Sequence, residues 1–236
     1  MPHFRWKPVE LLIATLLLAS RPGPVPAEEI AAPPPLFGKH EIHYSNLAQF
    51  TRWTDLLARW NAEREDAAES CIAADSATTP CAPPEWIDLV ERLRGLPLRR
   101  QLEAANDAIN AHPYVSAAQN WGDPAHWETP FEFMRKNGQC QDYAIAKFLL
   151  LRELGVPNDR MRLVVVRDVR RQVDHAVLVV SADGRELLLD NLIDGVVPAS
   201  AAADYRAYYS INETGWWLSL PNPLMPEGPV AQVASR

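Results

Sequence analysis

The chain has no cluster of basic residues. Its 23 Lys and Arg are outnumbered by 30 Asp and Glu, for a net charge of −7. A nucleic-acid-binding role is disfavoured on that ground, because phosphate binding needs a concentrated positive patch. After the first apolar run, 9–19, no second stretch is long enough to cross a bilayer, and the first is itself short for a span. There is no internal repeat, and no low-complexity tract beyond proline and alanine patches, so a solenoid is excluded. Cysteine is scarce: Cys71, Cys81 and Cys140 are the whole supply.

What is present starts with an export signature. Arg5 and Lys7 precede the apolar run, Glu10 interrupts it, and Val25-Pro26-Ala27 offers small residues before a cut at Glu28. Residues 1–27 are therefore expected to be a signal peptide. Residues 28–45, with Pro33-Pro34-Pro35, form a flexible entry segment, 46–220 the folded domain, and 221–236 a C-terminal tail. Within the domain, 46–111 is helical and 112–220 carries the core chemistry. In an oxidising compartment Cys71 and Cys81, ten positions apart in a polar stretch, are expected to pair as a disulfide. Cys140 is then the odd thiol, either buried and inert or reactive.

Hydrophobic periodicity predicts helices over 46–75, 85–93, 98–111 and 131–136. A further helix over 139–154 is apolar on most of its circumference, which places it at the centre of the fold. Strands follow at 162–169, 175–181 and 186–192, with edge strands at 205–210 and 216–220. Helices first and a meander second indicate an α+β fold.

Two features carry chemistry. Cys140 begins the central helix, where the macrodipole favours the thiolate, the nucleophilic form. Asp183-Gly184 signals a two-residue hairpin. That turn sets residue 182 opposite 185, so Val177 opposes Asp190, and alternation puts His175 on the face shared by Val177 and Asp190. His175 and Asp190 thus become diagonal neighbours. Cys140 as nucleophile, His175 as base and Asp190 as its orienter would make a thiol enzyme, with the N–H of Cys140 stabilising the oxyanion. Each residue also has a plainer reading: a structural thiol, a satisfied strand histidine, a turn-capping aspartate. His40 and His43 flank Glu41 in an expected loop and lack further ligands for a metal. Asp123 and His126 read as loop polar groups, and Trp53, Trp60 and Trp86 as core anchors. Asn212-Glu213-Thr214 matches a glycosylation acceptor.

An ordered set of segments resembles the bacterial transglutaminase-like cysteine proteinases. It comprises Trp121-Gly122, Trp127 with Thr129-Pro130, the block from Cys140 to Lys147, Leu154-Gly155-Val156-Pro157, His175-Ala176-Val177-Leu178, Leu189-Asp190-Asn191, Ile211-Asn212-Glu213 and Gly215-Trp216-Trp217. The resemblance implies a papain-like or transglutaminase-like core, with a central Cys-bearing helix against an antiparallel sheet and an N-terminal helical region. It also implies a catalytic triad of Cys140, His175 and Asp190, and a periplasmic endopeptidase acting on an exported protein such as a large surface adhesin in biofilm control. A regulatory receptor in the inner membrane is the implied partner. A transglutaminase or deamidase with the same triad, or a non-catalytic binding protein on the same fold, are the alternatives. Better-known members carry D-C-E-D at the nucleophile and use it to bind calcium. Here Gln139-Cys140-Gln141-Asp142 retains one carboxylate, so no cofactor and little or no calcium dependence is expected. Losing two negative charges also favours the thiolate.

Overall fold

Three amphipathic helices open the domain. The structure, a computed structural model, describes residues 36–38, 40–72 and 82–220. Helix α1 (Thr51–Ile72) buries Trp53, Leu56 and Trp60, which recur at helical spacing on one face. It starts five residues later than expected. The Asn46 side chain accepts the Ala48 N–H (2.9 Å) and so holds a turn where helix was anticipated. Helix α2 (Pro84–Leu93) buries Trp86, Leu89, Val90 and Leu93, and α3 (Leu98–Asn110) buries Leu102, Ala105 and Ile109. Trp60 and Trp86 both pack edge-on against Phe131, joining α1 and α2 to the rest of the core.

Two short helices lead to the central one. Between the helices predicted over 98–111 and 131–136 lies one that apolar periodicity does not predict, α4 (Ala117–Trp121), capped by Ser116 and Gln119. Helix α5 (Pro130–Lys136) has Thr129 and Glu132 as its capping box and proline in its first turn. Helix α6 (Cys140–Glu153) is buried continuously from Asp142 to Leu151. Its all-round apolar character thus matches a helix enclosed by α3, α5 and the sheet.

The sheet has seven antiparallel strands: β1 (His40–Tyr44), β2 (Met161–Asp168), β3 (Val173–Ala182), β4 (Arg185–Leu189), β5 (Val196–Pro198), β6 (Tyr205–Ile211) and β7 (Trp216–Leu220). Their order is β1-β7-β6-β2-β3-β4-β5. Both faces are covered. Leu163, Leu178, Val180, Leu187 and Leu189 join the helical core, while the alternating Val164, Val166, Val177, Val179 and Leu188 join a second core with Leu36, Tyr205 and Ala207. A sheet buried on both sides accounts for strands that read as continuous Val and Leu runs.

Three expectations need correction. Strands β6 and β7 are interior rather than edge strands, because β1 pairs with β7 along His40–Tyr44 and closes that side. The span 28–45, expected as a flexible entry, therefore contains a sheet strand at its end, and His40 and His43 are strand residues. Their neighbours explain the pairing: His43 stacks on Trp217 and Tyr44 on Trp216, at 4.8 and 4.6 Å. The signal segment 1–27, the tail 221–236, Cys81 and the side chain of Cys71 lie outside the described residues. Among the described residues, no helix is long and apolar enough to cross a membrane.

Trp53 ties the helical region to the sheet. It is fully buried, donates Nε1–H to the Asn212 carbonyl (2.9 Å) and meets Phe148 edge-on. Trp53→Ala is expected to cost about 3–5 kcal/mol in urea unfolding. A cost under about 1 kcal/mol would mean that α1 is not integral to the domain.

Candidate active site

A sharp turn delivers Cys140 to the start of α6. Helix α5 ends at Asn137, which adopts a left-handed φ of 63°. Gly138 follows where a side chain has no room, since a Cβ there would sit 2.7 Å from the Asp142 Cβ and 2.9 Å from Phe133. Gln139 is the N-cap and Cys140 the first helical residue. Asp142, fully buried, accepts the Gln139 N–H and the Glu128 N–H, both at 2.9 Å. Burial pushes its carboxyl up to about 7, against these two backbone bonds. Asp142 is therefore the clamp that closes the first turn and ties it to the loop before α5. The segment beside it is also fixed, with Val115 N–H donating to the Gly138 carbonyl (2.9 Å) and Tyr114 exposed next to it.

The hairpin brings the other two residues together. Its turn has φ values of 51° at Asp183 and 70° at Gly184, as a type I′ turn requires. Ala182 pairs with Arg185 and Leu178 with Leu189, the expected register. Asp190 follows directly after β4. His175 Nε2 lies 2.7 Å from Asp190 Oδ1, with both side chains almost wholly buried. The other ring nitrogen is not engaged by Asp190, and Cys140 is near enough to favour the charged imidazole. The half-buried Cys140 Sγ–H lies 3.6 Å from Gln141 Oε1.

Two further donors hold Asp190, and neither was legible in the sequence. Tyr205 O–H donates to Oδ2 (2.6 Å) and the Leu192 N–H to Oδ1 (2.9 Å). Burial by itself would raise this carboxyl; the His175, Tyr205 and Leu192 contacts hold it below the usual range. Burial and the adjoining Asp190 push the Tyr205 hydroxyl upward, so it remains a proton donor. For His175, burial disfavours charge, but Asp190 and Cys140 outweigh it and lift the imidazole to about 9. Asn110 Nδ2–H secures the backbone of the same residue, reaching the Asp190 carbonyl at 2.7 Å. Tyr205 carries no local signal of this role, since only the β6-β2-β3-β4 pairing brings it to Asp190.

The other candidates fall into structural roles. His126 stacks on Trp121 and contacts Glu132, and Asp123 accepts the Ala125 N–H. Asn212 Oδ1 accepts the N–H groups of Thr214 and Gly215 within a turn.

Comparison with known proteins identifies the lineage. The family model of the bacterial transglutaminase-like cysteine proteinases matches residues 92–223. The chain belongs to this family. It is similar in structure to LapG of Legionella pneumophila, at 27% identity over 67% of this chain and 87% of that one, with a TM-score of 0.54. Calcium-bound LapG gives 28% identity, coverage of 65% and 86%, and a TM-score of 0.53. EGTA-treated LapG gives 26%, coverage of 69% and 86%, and 0.55. No curated protein matches the chain. As a member of the family the protein is a transglutaminase-like cysteine peptidase with a papain-like α+β core, and its substrate is a protein.

The residues beside Cys140 do not fit a calcium cage. Asp142 turns both oxygens to backbone N–H groups, Gln139 Oε1 faces the Ala117 N–H, and Gln141 Oε1 faces the thiol. Two of these three side chains are neutral amides, and calcium affinity falls with ligand charge. Among the described residues, no group of three or more His, Cys, Asp or Glu side chains could hold a metal ion.

The raised His175 sets a pH dependence. A histidine whose folded value lies above its free value of 6.5 contributes stability fully below pH 6.5, and loses it as pH rises through about 9. Urea unfolding is expected to show lower stability at pH 9.5 than at 6.5. In Asp190→Asn this fall should shrink, and an equal fall in both proteins would refute the assignment.

Proposed function

We propose that Cys140, His175 and Asp190 are the triad of a periplasmic cysteine endopeptidase that cuts an exported protein, of the class of large surface adhesins. The observation that carries the reading is the buried His175–Asp190 hydrogen bond of 2.7 Å, which leaves the second ring nitrogen free, with Cys140 near enough to favour the charged imidazole. The Cys140 thiolate attacks the scissile carbonyl carbon, and the N–H groups that open α6, lacking intrahelical acceptors, face the developing oxyanion. The His175 imidazolium gives its proton to the leaving amine, which leaves a thioester on Cys140. His175, now neutral, takes a proton from water as that water attacks the thioester; the carbon–sulfur bond breaks, the acid product leaves, and the thiolate–imidazolium pair is restored. Asp190 keeps the ring oriented and stabilises its charged form throughout.

Export follows from the signal expected at 1–27. The proposed location would allow Cys71 and Cys81 to pair, and would place the enzyme where an inner-membrane receptor can sequester it. Both the adhesin class and the receptor are drawn from the family resemblance.

Cys140→Ala is expected to abolish labelling by a thiol-directed probe and cleavage of a candidate adhesin. Asp190→Asn should slow cleavage on the order of 10³–10⁴-fold, as when a triad loses its orienting carboxylate. Mass spectrometry decides the chemistry. Two peptide fragments support hydrolysis, whereas a glutamine converted to glutamate or joined to an amine, with the chain intact, would overturn it.

The same reading includes no calcium requirement. Calorimetric titration of the protein lacking residues 1–27 is expected to show no micromolar calcium site, and EGTA should leave cleavage unchanged. Micromolar binding abolished by Asp142→Asn would contradict this.

A further inference from the structure

The stretch between α3 and α4 is tied to the turn before Cys140 on both sides of Tyr114. The His112 carbonyl accepts the Tyr143 hydroxyl (2.5 Å), and the His112 ring lies 3.1 Å from Asn137 Oδ1. Val115 N–H donates to the Gly138 carbonyl, and Tyr114 forms a parallel bridge with Gly138. In such a bridge the residue flanked by the bonded groups turns its own N–H and carbonyl to the opposite side. Those of Tyr114 therefore point away from Gly138. Among the described residues, nothing hydrogen-bonds to the Tyr114 N–H, carbonyl or hydroxyl. Its side chain is 61% exposed, more than any other large apolar side chain described. An open backbone edge and an exposed ring thus coincide at one residue of an anchored segment.

The edge is short and lies beside the candidate nucleophile. Residues two apart in an extended chain face the same way. His112 and Ser116 are those neighbours, and their backbone groups are already employed. The His112 N–H bonds the Ile109 carbonyl (3.3 Å), the Ser116 N–H bonds Gln119 Oε1 (3.2 Å), and the Ser116 carbonyl accepts the N–H groups of Gln119 and Asn120. Only Tyr114 is open between them. An edge of one residue is too short to join the sheet of a second copy, but it suits one residue of a peptide that exchanges both bonds with Tyr114. That residue places its side chain on the same face as the Tyr114 ring. Cys140 follows Gly138 by two residues, a reach of at most about 7 Å. An extended peptide advances about 3.3 Å per residue, so a chain paired at Tyr114 arrives at Cys140 within a few residues.

We propose that Tyr114 is a specificity-determining residue: its N–H and carbonyl pair with one residue of an extended segment of the protein substrate, and its ring covers the apolar side chain of that residue. This inference deepens the peptidase reading and rests on it. Proline is refused at the paired residue, because it has no N–H to give the Tyr114 carbonyl. An acidic side chain there is disfavoured by the negative face of the ring.

The probes are the chloromethyl ketone of acetylated tri-alanine, which alkylates Cys140 with loss of chloride, and iodoacetamide, which offers no peptide chain. The ratio of their labelling rates reads recognition apart from thiol reactivity. N-methylation of one backbone nitrogen of the peptide is expected to lower the wild-type ratio about tenfold, the loss of one hydrogen bond, and methylation elsewhere to leave it. Leucine for alanine at that same residue should raise the ratio, and aspartate should lower it. Tyr114→Ala should erase the difference between leucine and aspartate, whereas Tyr114→Phe keeps it. Tyr114→Pro, which removes an N–H without an internal partner, should bring the ratio about tenfold below that of Tyr114→Ala. The methylation series uses the wild-type protein and decides even if a variant does not fold. An equal response to methylation at every position overturns the proposal, as does a leucine preference that survives Tyr114→Ala. A wild-type dimer in sedimentation that Tyr114→Pro dissolves would also overturn it, by assigning the edge to a second copy. The triad has its own arm: His175→Ala should slow iodoacetamide labelling at neutral pH, and unchanged labelling there sinks the triad whatever the ratio does.

Discussion

A carboxylate cannot remain charged inside a protein unless donors surround it, and the candidate site of this fold is organised around that requirement at Asp190. Its two oxygens receive the His175 ring, the Tyr205 hydroxyl and the Leu192 N–H. These donors come from β3, β6 and the turn after β4. The sheet order must therefore be correct before the carboxylate is satisfied. Folding and the proposed function share this constraint, because the same bonds that make burial tolerable also fix the orientation of the imidazole.

The second requirement is met at the start of α6. Asp142 closes the first turn and reaches the Glu128 backbone, while Gly138 leaves room for that carboxylate. In this chain the aspartate acts as a cap, and its neighbours are amides that face a backbone N–H and the thiol. The turn that carries Cys140 is thus held by hydrogen bonds internal to the protein, with rigidity supplied by α5 and the Asn137-Gly138 turn.

Much of this was legible from local pattern. The central helix, the α2 and α3 boundaries and the Asp183-Gly184 hairpin follow from short-range rules: apolar period, proline and glycine stops, and a turn that only certain residues adopt. Because that turn fixes the register, the His175–Asp190 proximity could be stated before any tertiary contact was known. Strand β1 was missed because its five residues are largely exposed and gain their place by stacking on Trp216 and Trp217, far away in the chain. Helix α4 was missed because it is five residues long and is held by its capping box rather than by an apolar stripe.

By itself the sequence determined the central helix, the α2 and α3 helices, the hairpin register and the chemical identities of thiol, imidazole and carboxylate, since these depend on neighbours within a few positions. Tertiary structure alone decided that Tyr205 secures Asp190, that Asn110 grips its backbone, that Asp142 serves as a clamp, and that β6 and β7 lie inside the sheet. Those outcomes depend on pairings between residues far apart in the chain. A buried polar group takes whichever partner the packed fold brings within about 3 Å, and no local pattern records that partner in advance.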